Sequence, residues 1–313
     1  MTGGAGDAEI HILPYSYVVG QTELKLALEL NYIAPRIGGV LVSGQRGTAK
    51  STVVRAFSLL TRGELPVTLP INATDDRVLG GWELDALMRG VAQSQPGLLQ
   101  EAGEKGMLYI DEVNLLDDHI VNIILDVVST GVLSVQREAI DAVRSVSFGL
   151  VGTMNPEEGG LRPQLLDRFG LMVAVSELDQ EARRAMVLAV LRFDDEAGTE
   201  SSWLADGLAA DRALRERLDT ARAAVQDVRL SEDIAKLCAD VATQLRAVGH
   251  RGEVVTAWAA RALAAFEGAD EVTPHHVRRV VPLSLLHRRP EAAHGGPVEW
   301  TPEESDLLDG LLG

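Results

Sequence analysis

The sequence predicts an α/β fold in which a parallel sheet is covered on both faces and is followed by an all-helical unit. Two observations carry this. Five short apolar runs, "GVLVS" (39–43), "PVTLPI" (66–71), "MLYID" (107–111), "SFGLVGT" (147–153) and "LMVAV" (171–175), fall in the first 176 residues. Each is bounded by Gly, Pro or a charge, and helix-like stretches separate most of them, the pattern of a parallel sheet between helical layers. Beyond about residue 176 the strand signals stop and apolar residues recur at helical spacing.

The elements follow in order. "STVVRAFSLL" is a helix with Val53, Val54 and Phe57 on its buried side. Residues 117–129 form the clearest helix, with Ile120, Ile123, Ile124, Val127 and Val128 on one face. "FDDEAG" (193–198) reads as a solvated connector, and Cys238 lies on an apolar helix face, a core position. Val255, Trp258, Ala259, Ala262, Leu263 and Phe266 make a further stripe. Thr273 followed by Pro274 is an N-cap with proline at the first helical position. His275 and His276 sit in that helix's first turn, where adjacent rings diverge too far to share a metal. The polar stretch "RRPEAAHGGP" (288–297) separates a last helix from the body. That helix is opened by a capping box, Thr301 to Glu304, and its "LLDGLL" stripe (307–312) is expected to pack on the chain's own helices.

Composition narrows the function classes. Lys plus Arg number 29 against 46 Asp plus Glu, a net charge of −17 over 313 residues. Such a field repels nucleic acid and anionic lipid, so neither is an expected partner. With one cysteine there is no internal disulfide and no cysteine-built zinc site. No apolar run reaches the roughly 18 residues of a membrane span, and the first residues show no basic and apolar leader, so a cytoplasmic location is expected.

"GQRGTAKST" (44–52) follows the first strand and enters a helix, so its N–H groups and the helix N-terminus are set to hold a polyphosphate. Lys50 would reach the β- and γ-phosphates and the Ser51 hydroxyl would ligate Mg²⁺. Ala49 stands where the motif G-x-x-x-x-G-K-[ST] has its second glycine; it is read as the start of the helix, with negative φ, where a methyl group costs little. The third run ends in Asp111 and Glu112, and a parallel strand brings both to the edge where the loop lies. Asp111 would hold Mg²⁺ through water and Glu112 would orient and polarise the attacking water. Asn155 ends the next strand, where its amide would contact the γ-phosphate or the water. For Arg168 two readings stand level: an exposed guanidinium that reaches a neighbouring subunit's γ-phosphate, or an ion pair with Asp167 or a nearby acid.

These stretches resemble the AAA+ ATPases, and within them the ATPase (I) subunit of magnesium chelatase and its MoxR-related clade. "VVGQTELKLAL", "GQRGTAKST", "NATDDRVLGGWELDALMRG", "PGLLQEAGEKGMLYIDEVNLLDDHIVNIILDVVSTG", "NPEEGGLRPQLLDRFGL" and "GHRGEVVTAWAARALAAFEG" run in the family's order from about residue 12 to 290. The resemblance implies an αβα P-loop core (1–176), an all-α lid (177–290) and a C-terminal tail with a short helix (291–313). It implies ATP and Mg²⁺ as cofactors, with Val18, Val19 and Gly20 lining the adenine pocket. Gly44, Gln45, Arg46, Gly47, Thr48, Ala49, Lys50, Ser51 and Thr52 would form the phosphate loop, and Asp111 and Glu112 the Walker B pair. Asn155 would be sensor 1, Arg168 the arginine finger and Arg251 the sensor 2 arginine of the lid. Residues 72–95 look like the clade's helix-bearing insert and 132–148 like its hairpin; both are candidate transmitters of motion, with Trp82 to Leu84 at the insert's tip. A cysteine-bearing insertion that many of these subunits carry after the phosphate-loop helix is missing. The function implied is ATP hydrolysis by a homo-oligomeric ring, expected as a hexamer. Such a ring drives conformational change in a partner bearing an integrin-like (VWA) domain, for metal insertion into a tetrapyrrole. The alternatives are a MoxR-like chaperone ATPase acting on another VWA protein, and a nucleotide-gated scaffold with negligible hydrolysis.

Overall fold

The computed structural model describes residues 11–82, 94–137, 140–293 and 299–312. Helix α1 (Thr22–Ile33) leads to β1 (Val40–Ser43), then α2 (Lys50–Arg62), β2 (Val67–Leu69) and α3 (Asp75–Leu79). The ribbon of β3 (Gly80–Trp82) and β4 (Ser94–Pro96) is followed by α4 (Leu98–Lys105), β5 (Met107–Ile110) and α5 (Asp118–Thr130). The hairpin of β6 (Val132–Arg137) and β7 (Ile140–Ser145) precedes β8 (Gly149–Met154), α6 (Pro163–Leu166) and β9 (Leu171–Ala174). All remaining regular elements are helical: α7 (Gln180–Glu196), α8 (Ser202–Ala224), α9 (Glu232–Gln244), α10 (Arg251–Glu267), α11 (Pro274–Leu285), α12 (Pro290–Ala293) and α13 (Pro302–Leu312). The tip of the 72–95 insert, with Leu84 and the side chain of Trp82, lies outside the described residues.

The five apolar runs form one sheet in the order β2-β5-β8-β1-β9, every neighbouring pair parallel. The reason is visible in β1. Val40 and Val42 face one core with Val53, Val54 and Phe57 of α2, while Leu41 faces the other with Ile120 and Ile124 of α5. A strand buried on both faces is apolar along most of its length, and all four residues of β1 are buried, with polar Ser43 only at its end. Register aligns the strand ends: Ser43 stands level with Met154 and with Ala174, and Ile110 with Gly152. The residues that follow β1, β5 and β8 therefore emerge together at the carboxyl edge, where open α/β sheets bind ligands.

Among the helices, α10 is the hub, with Val255, Ala259, Ala262 and Leu263 buried against α11, α9 and α8. The α11 cap is closed by a histidine: the main-chain N–H of Thr273 donates to His276 Nδ1 at 2.9 Å, while His276 Nε2 lies 3.1 Å from Glu267 Oε2. Both histidines are thus at a helix start, and His276 is spent on the cap. Cys238 is buried, and burial pushes its thiol up to about 11. The capping box of α13 forms, Thr301 N–H donating to Glu304 Oε2 at 2.8 Å, and Leu308 is buried in the main core, with α13 against α11.

Two readings change. The 193–198 segment is not a separate connector: it runs on as the last turn of α7 as far as Glu196, and Phe193 packs against the core and the His11 ring. The 288–297 stretch, read as a polar separator between the last helix and the body, begins within the body, because Arg288 and Arg289 are buried. Arg289 donates to Leu286 O at 3.1 Å and Glu299 O at 2.8 Å and pairs with Glu304, so acceptors from distant residues satisfy it.

Candidate nucleotide site

The loop 44–49 links β1 to α2. Gly44 passes so close to β9 that a Cβ there would lie 2.7 Å from Val175 O, which requires glycine. Ala49 has φ +61° and ψ +16°, so it is not the helical residue with negative φ that the sequence suggested. The loop must reverse before α2 begins, and the left-handed region achieves that reversal; with a Cβ it costs about 1–2 kcal/mol. Because Ala49 offers no side-chain cap, the first N–H groups of α2 remain open to an anion.

A cavity of about 540 Å³ lies over this helix end, lined by Arg46 to Thr52, Asp111, Glu112 and Thr153 to Asn155. Lys50 Nζ donates to Gly44 O and, at 2.8 Å, to Gln45 O. Burial lowers its pKa, against the pull of Asp111 and Glu112. Main-chain carbonyls are weak partners for an ammonium, so it is free to turn to phosphate oxygens. Arg46 bridges the loop to the ends of β5 and β8: its Nη2 lies 2.9 Å from Glu112 Oε1 and 2.8 Å from Glu158 Oε1. Gln45 Nε2 donates to Glu157 Oε1 at 3.1 Å, and Asn155 accepts from Glu157 N–H at 3.3 Å.

Two residues unnoticed in the sequence organise the metal-side groups. Tyr109, buried at 1% exposure, donates its hydroxyl to Asp111 Oδ1 at 3.0 Å, leaving the Ser51 hydroxyl to donate to it at 3.0 Å. Thr153 donates to Asp111 Oδ1 at 2.7 Å and accepts Glu112 N–H at 3.1 Å. One chain of hydrogen bonds thus joins Ser51, Tyr109, Asp111, Thr153 and the main chain of Glu112, which has φ +56°. Tyr109 reads in the sequence as one more apolar strand residue, and only its position between two oxygen donors reveals the rest. A serine hydroxyl and a carboxylate at the mouth of a phosphate loop are the hard oxygen donors that Mg²⁺ takes, so these residues fit the ion.

The other expected site residues lie elsewhere. Val18, Val19 and Gly20 do not line this cavity; they adjoin the loop, tied to it by Gln21 Nε2 donating to Thr48 O at 3.0 Å, with Leu178 against Gly20. Arg168 and Arg251 are at the opposite edge of the sheet. Arg168 precedes β9, is only partly exposed, donates to Asn122 Oδ1 at 2.8 Å and pairs with Asp126 of α5. The intrachain partner is therefore Asp126, not Asp167. The Arg251 Nη2 would lie 2.8 Å from a Cβ on Gly38, just before β1, so the length of that strand, roughly 10 Å, separates it from the loop.

A phosphate loop at the end of a central parallel strand, an Asp–Glu pair at the end of β5 with β8 between the two strands, and a helical unit behind define a P-loop ATPase of the AAA class. The AAA domain (dynein-related subfamily) model matches residues 39–169 and the AAA lid domain model residues 235–306. The chloroplastic magnesium-chelatase subunit ChlI of Chlamydomonas reinhardtii is 40% identical over 88% of this chain and 75% of its own length. The ChlI subunit of Nostoc sp. is 39% identical over 88% of this chain and 84% of its own. A solved complex of the magnesium-chelatase subunits BchI and BchD contains a chain 35% identical, with TM-score 0.50, covering 95% of this chain and 99% of that one. The chain belongs to the magnesium-chelatase ChlI/BchI family of AAA+ ATPases. Among the described residues no helix is long and apolar enough to cross a membrane.

Proposed function

We propose that the chain hydrolyses ATP with Mg²⁺ as a ring-forming motor, each site completed by a neighbouring copy, and passes the resulting motion to a partner protein. The observation that carries this is a division across one sheet. Lys50, Ser51, Asp111, Glu112 and Asn155 share the cavity at the carboxyl edge, while Arg168 and Arg251 lie toward the other. Lys50 leaves the Gly44 and Gln45 carbonyls for the β- and γ-phosphates, and the N–H groups at the start of α2 hold their oxygens. Ser51, and Asp111 through water, would hold Mg²⁺, which would supply positive charge against the phosphates. Glu112 leaves Arg46, orients the attacking water and takes its proton, and Asn155 steadies that water or the γ-phosphate. Arg168 of one copy, released from Asp126, supplies charge to the transition state in the next, with Arg251 beside it.

The core 1–176 would do the chemistry and the helices of 177–290 would act as the lid. The partner we infer carries an integrin-like VWA domain, and the outcome is metal insertion into a tetrapyrrole held by other subunits. Kinship with subunits named for magnesium chelatase and likeness to a BchI–BchD complex support this reading. The test is Glu112→Gln, which keeps every phosphate and metal contact and removes only the base. Nucleotide binding should stay within about twofold while turnover falls by the 10² or more that a general base supplies. Equal turnover in variant and parent would sink the proposal.

A further inference from the structure

Among the described residues, the largest fully buried side chain is an arginine that no motif singled out. Arg288 ends the 3-10 turn Leu286–Arg288 after α11, its side chain 0% exposed. A guanidinium has five N–H donors in a rigid fork, and here each has an acceptor. Nε donates to Asp167 Oδ1 at 3.0 Å; Nη1 donates to Gly170 O at 3.0 Å and to Ser284 O; Nη2 donates to Asp167 O at 2.8 Å and Phe169 O at 2.7 Å. Three of these acceptors are the main-chain carbonyls of residues 167, 169 and 170, which flank Arg168 on both sides. His287 Nε2 adds a fourth link from the same turn, 3.0 Å from Phe169 O. Gly170 is wedged as well, for a Cβ there would fall 2.0 Å from Ile37 O.

Joining helices to a sheet does not require this. Apolar residues do it without the several kcal/mol that burying an ion costs, and replacing buried ion pairs by them is often neutral or stabilising. What arginine adds is a fixed fan of donors that holds several carbonyls in one geometry; lysine has three donors on one atom.

We propose that Arg288 is a positioning residue for Arg168: it clamps the main chain on either side, so that the helical unit sets the direction in which Arg168 points. The inference rests on the reading of Arg168 as acting in a neighbour's site. Arg251, at the start of α10, lies beside the same Asp167. A shift of the helices would therefore carry both arginines together.

The experiment uses the full chain and Arg288→Lys, which keeps the charge and loses the fan. Melting temperature, binding of a fluorescent ATP analogue, and kcat and KM are measured on the variant alone. Turnover is then measured after mixing with Lys50→Ala, which has an intact finger and no working pocket, or with Arg168→Ala, which has the reverse. A folded variant with KM within twofold of the parent and kcat at least tenfold lower is expected, because its own pocket is on the far edge of the sheet. Part of the activity should return with Lys50→Ala and none with Arg168→Ala. Unchanged kcat, a rise in KM alone, or equal recovery with both partners would overturn the proposal. If the lysine variant does not fold, Asp167→Asn at a part-exposed position loosens the same clamp and must show the same split; unchanged kcat there also overturns it. Arg168→Ala alone separates the two levels: full turnover in it removes the finger reading, whereas lost turnover beside a fully active Arg288→Lys removes only the clamp.

Discussion

Ala49 has a backbone conformation that glycine adopts freely, and the mismatch sets an expected outcome. Glycine there relieves about 1–2 kcal/mol of left-handed strain and returns about 0.4–1 kcal/mol through a more flexible unfolded chain. Ala49→Gly should therefore stabilise the protein by about 0.5–1 kcal/mol, read as a higher urea midpoint at unchanged slope; an unchanged or lower midpoint would show that the loop relaxes without strain. Tyr109 is the other residue whose part is not written in a motif. Its hydroxyl spans Ser51 and Asp111, so Tyr109→Phe should leave the fold intact and raise the Mg²⁺ needed for half-maximal nucleotide binding about 10-fold, the lower end of what outer-shell partners contribute. Mn²⁺ binding followed by electron spin resonance checks this without turnover, and equal affinities would leave the hydroxyl no role at the metal. Lys50, Ser51, Asp111 and Glu112 could be read in advance because contiguous spacing fixes their relations. The φ of Ala49 and the reach of Tyr109 depend on β9 and α2, which spacing does not describe.

At the scale of elements, the five strands were legible because burial on both faces leaves short, mostly apolar runs, and α5 because its apolar residues keep a helical period. The start of the 288–297 stretch was read as a polar separator because what buries its two arginines arrives from residues 167–170, 299 and 304. The turn Leu286–Arg288 gives the fold a sensitivity to acid. Burial, then the charges of Arg288 and Arg251, hold the His287 pKa well below its usual value against the pull of the Phe169 carbonyl, and its Nδ1 has no partner among the described residues. The folded state thus takes up less proton than the unfolded one once pH falls below about 6.5. Stability due to this group is complete above that pH and is lost as pH falls toward the folded value, at up to about 1.4 kcal/mol per pH unit. His287→Gln retains an N–H for Phe169 O and cannot titrate. Urea unfolding between pH 7 and pH 5 should show a shallower decline by about one proton; parallel curves would mean that His287 is charged in the fold.

For the whole molecule, the proposed ring raises the question of which copy's nucleotide Arg251 would act on. A cis role would need Arg251 near the cavity of its own chain, yet it lies beside Gly38 and Asp167 at the amino edge, with β1 between. Burial lowers its pKa and the nearby Arg168 adds to that, opposed by Asp167, so the edge holds the guanidiniums of Arg168, Arg251 and Arg288 against the carboxylates of Asp126 and Asp167. That arrangement is suited to an anion brought from outside, and in a chain of net charge −17 it is a local exception that a neighbour's triphosphate would meet. Arg251→Ala should accordingly bind a fluorescent ATP analogue within about twofold of the parent at concentrations too low for assembly, because its own loop is untouched. At concentrations where sedimentation shows oligomers, turnover per subunit should fall at least tenfold, with the deficit shared by unmutated neighbours in mixed assemblies; arginines in trans supply about 10³–10⁵ in GTPases. Weakened binding by the dilute, unassembled variant would instead mean that the helices swing Arg251 over their own nucleotide, and the proposed division of the site across the sheet would fall.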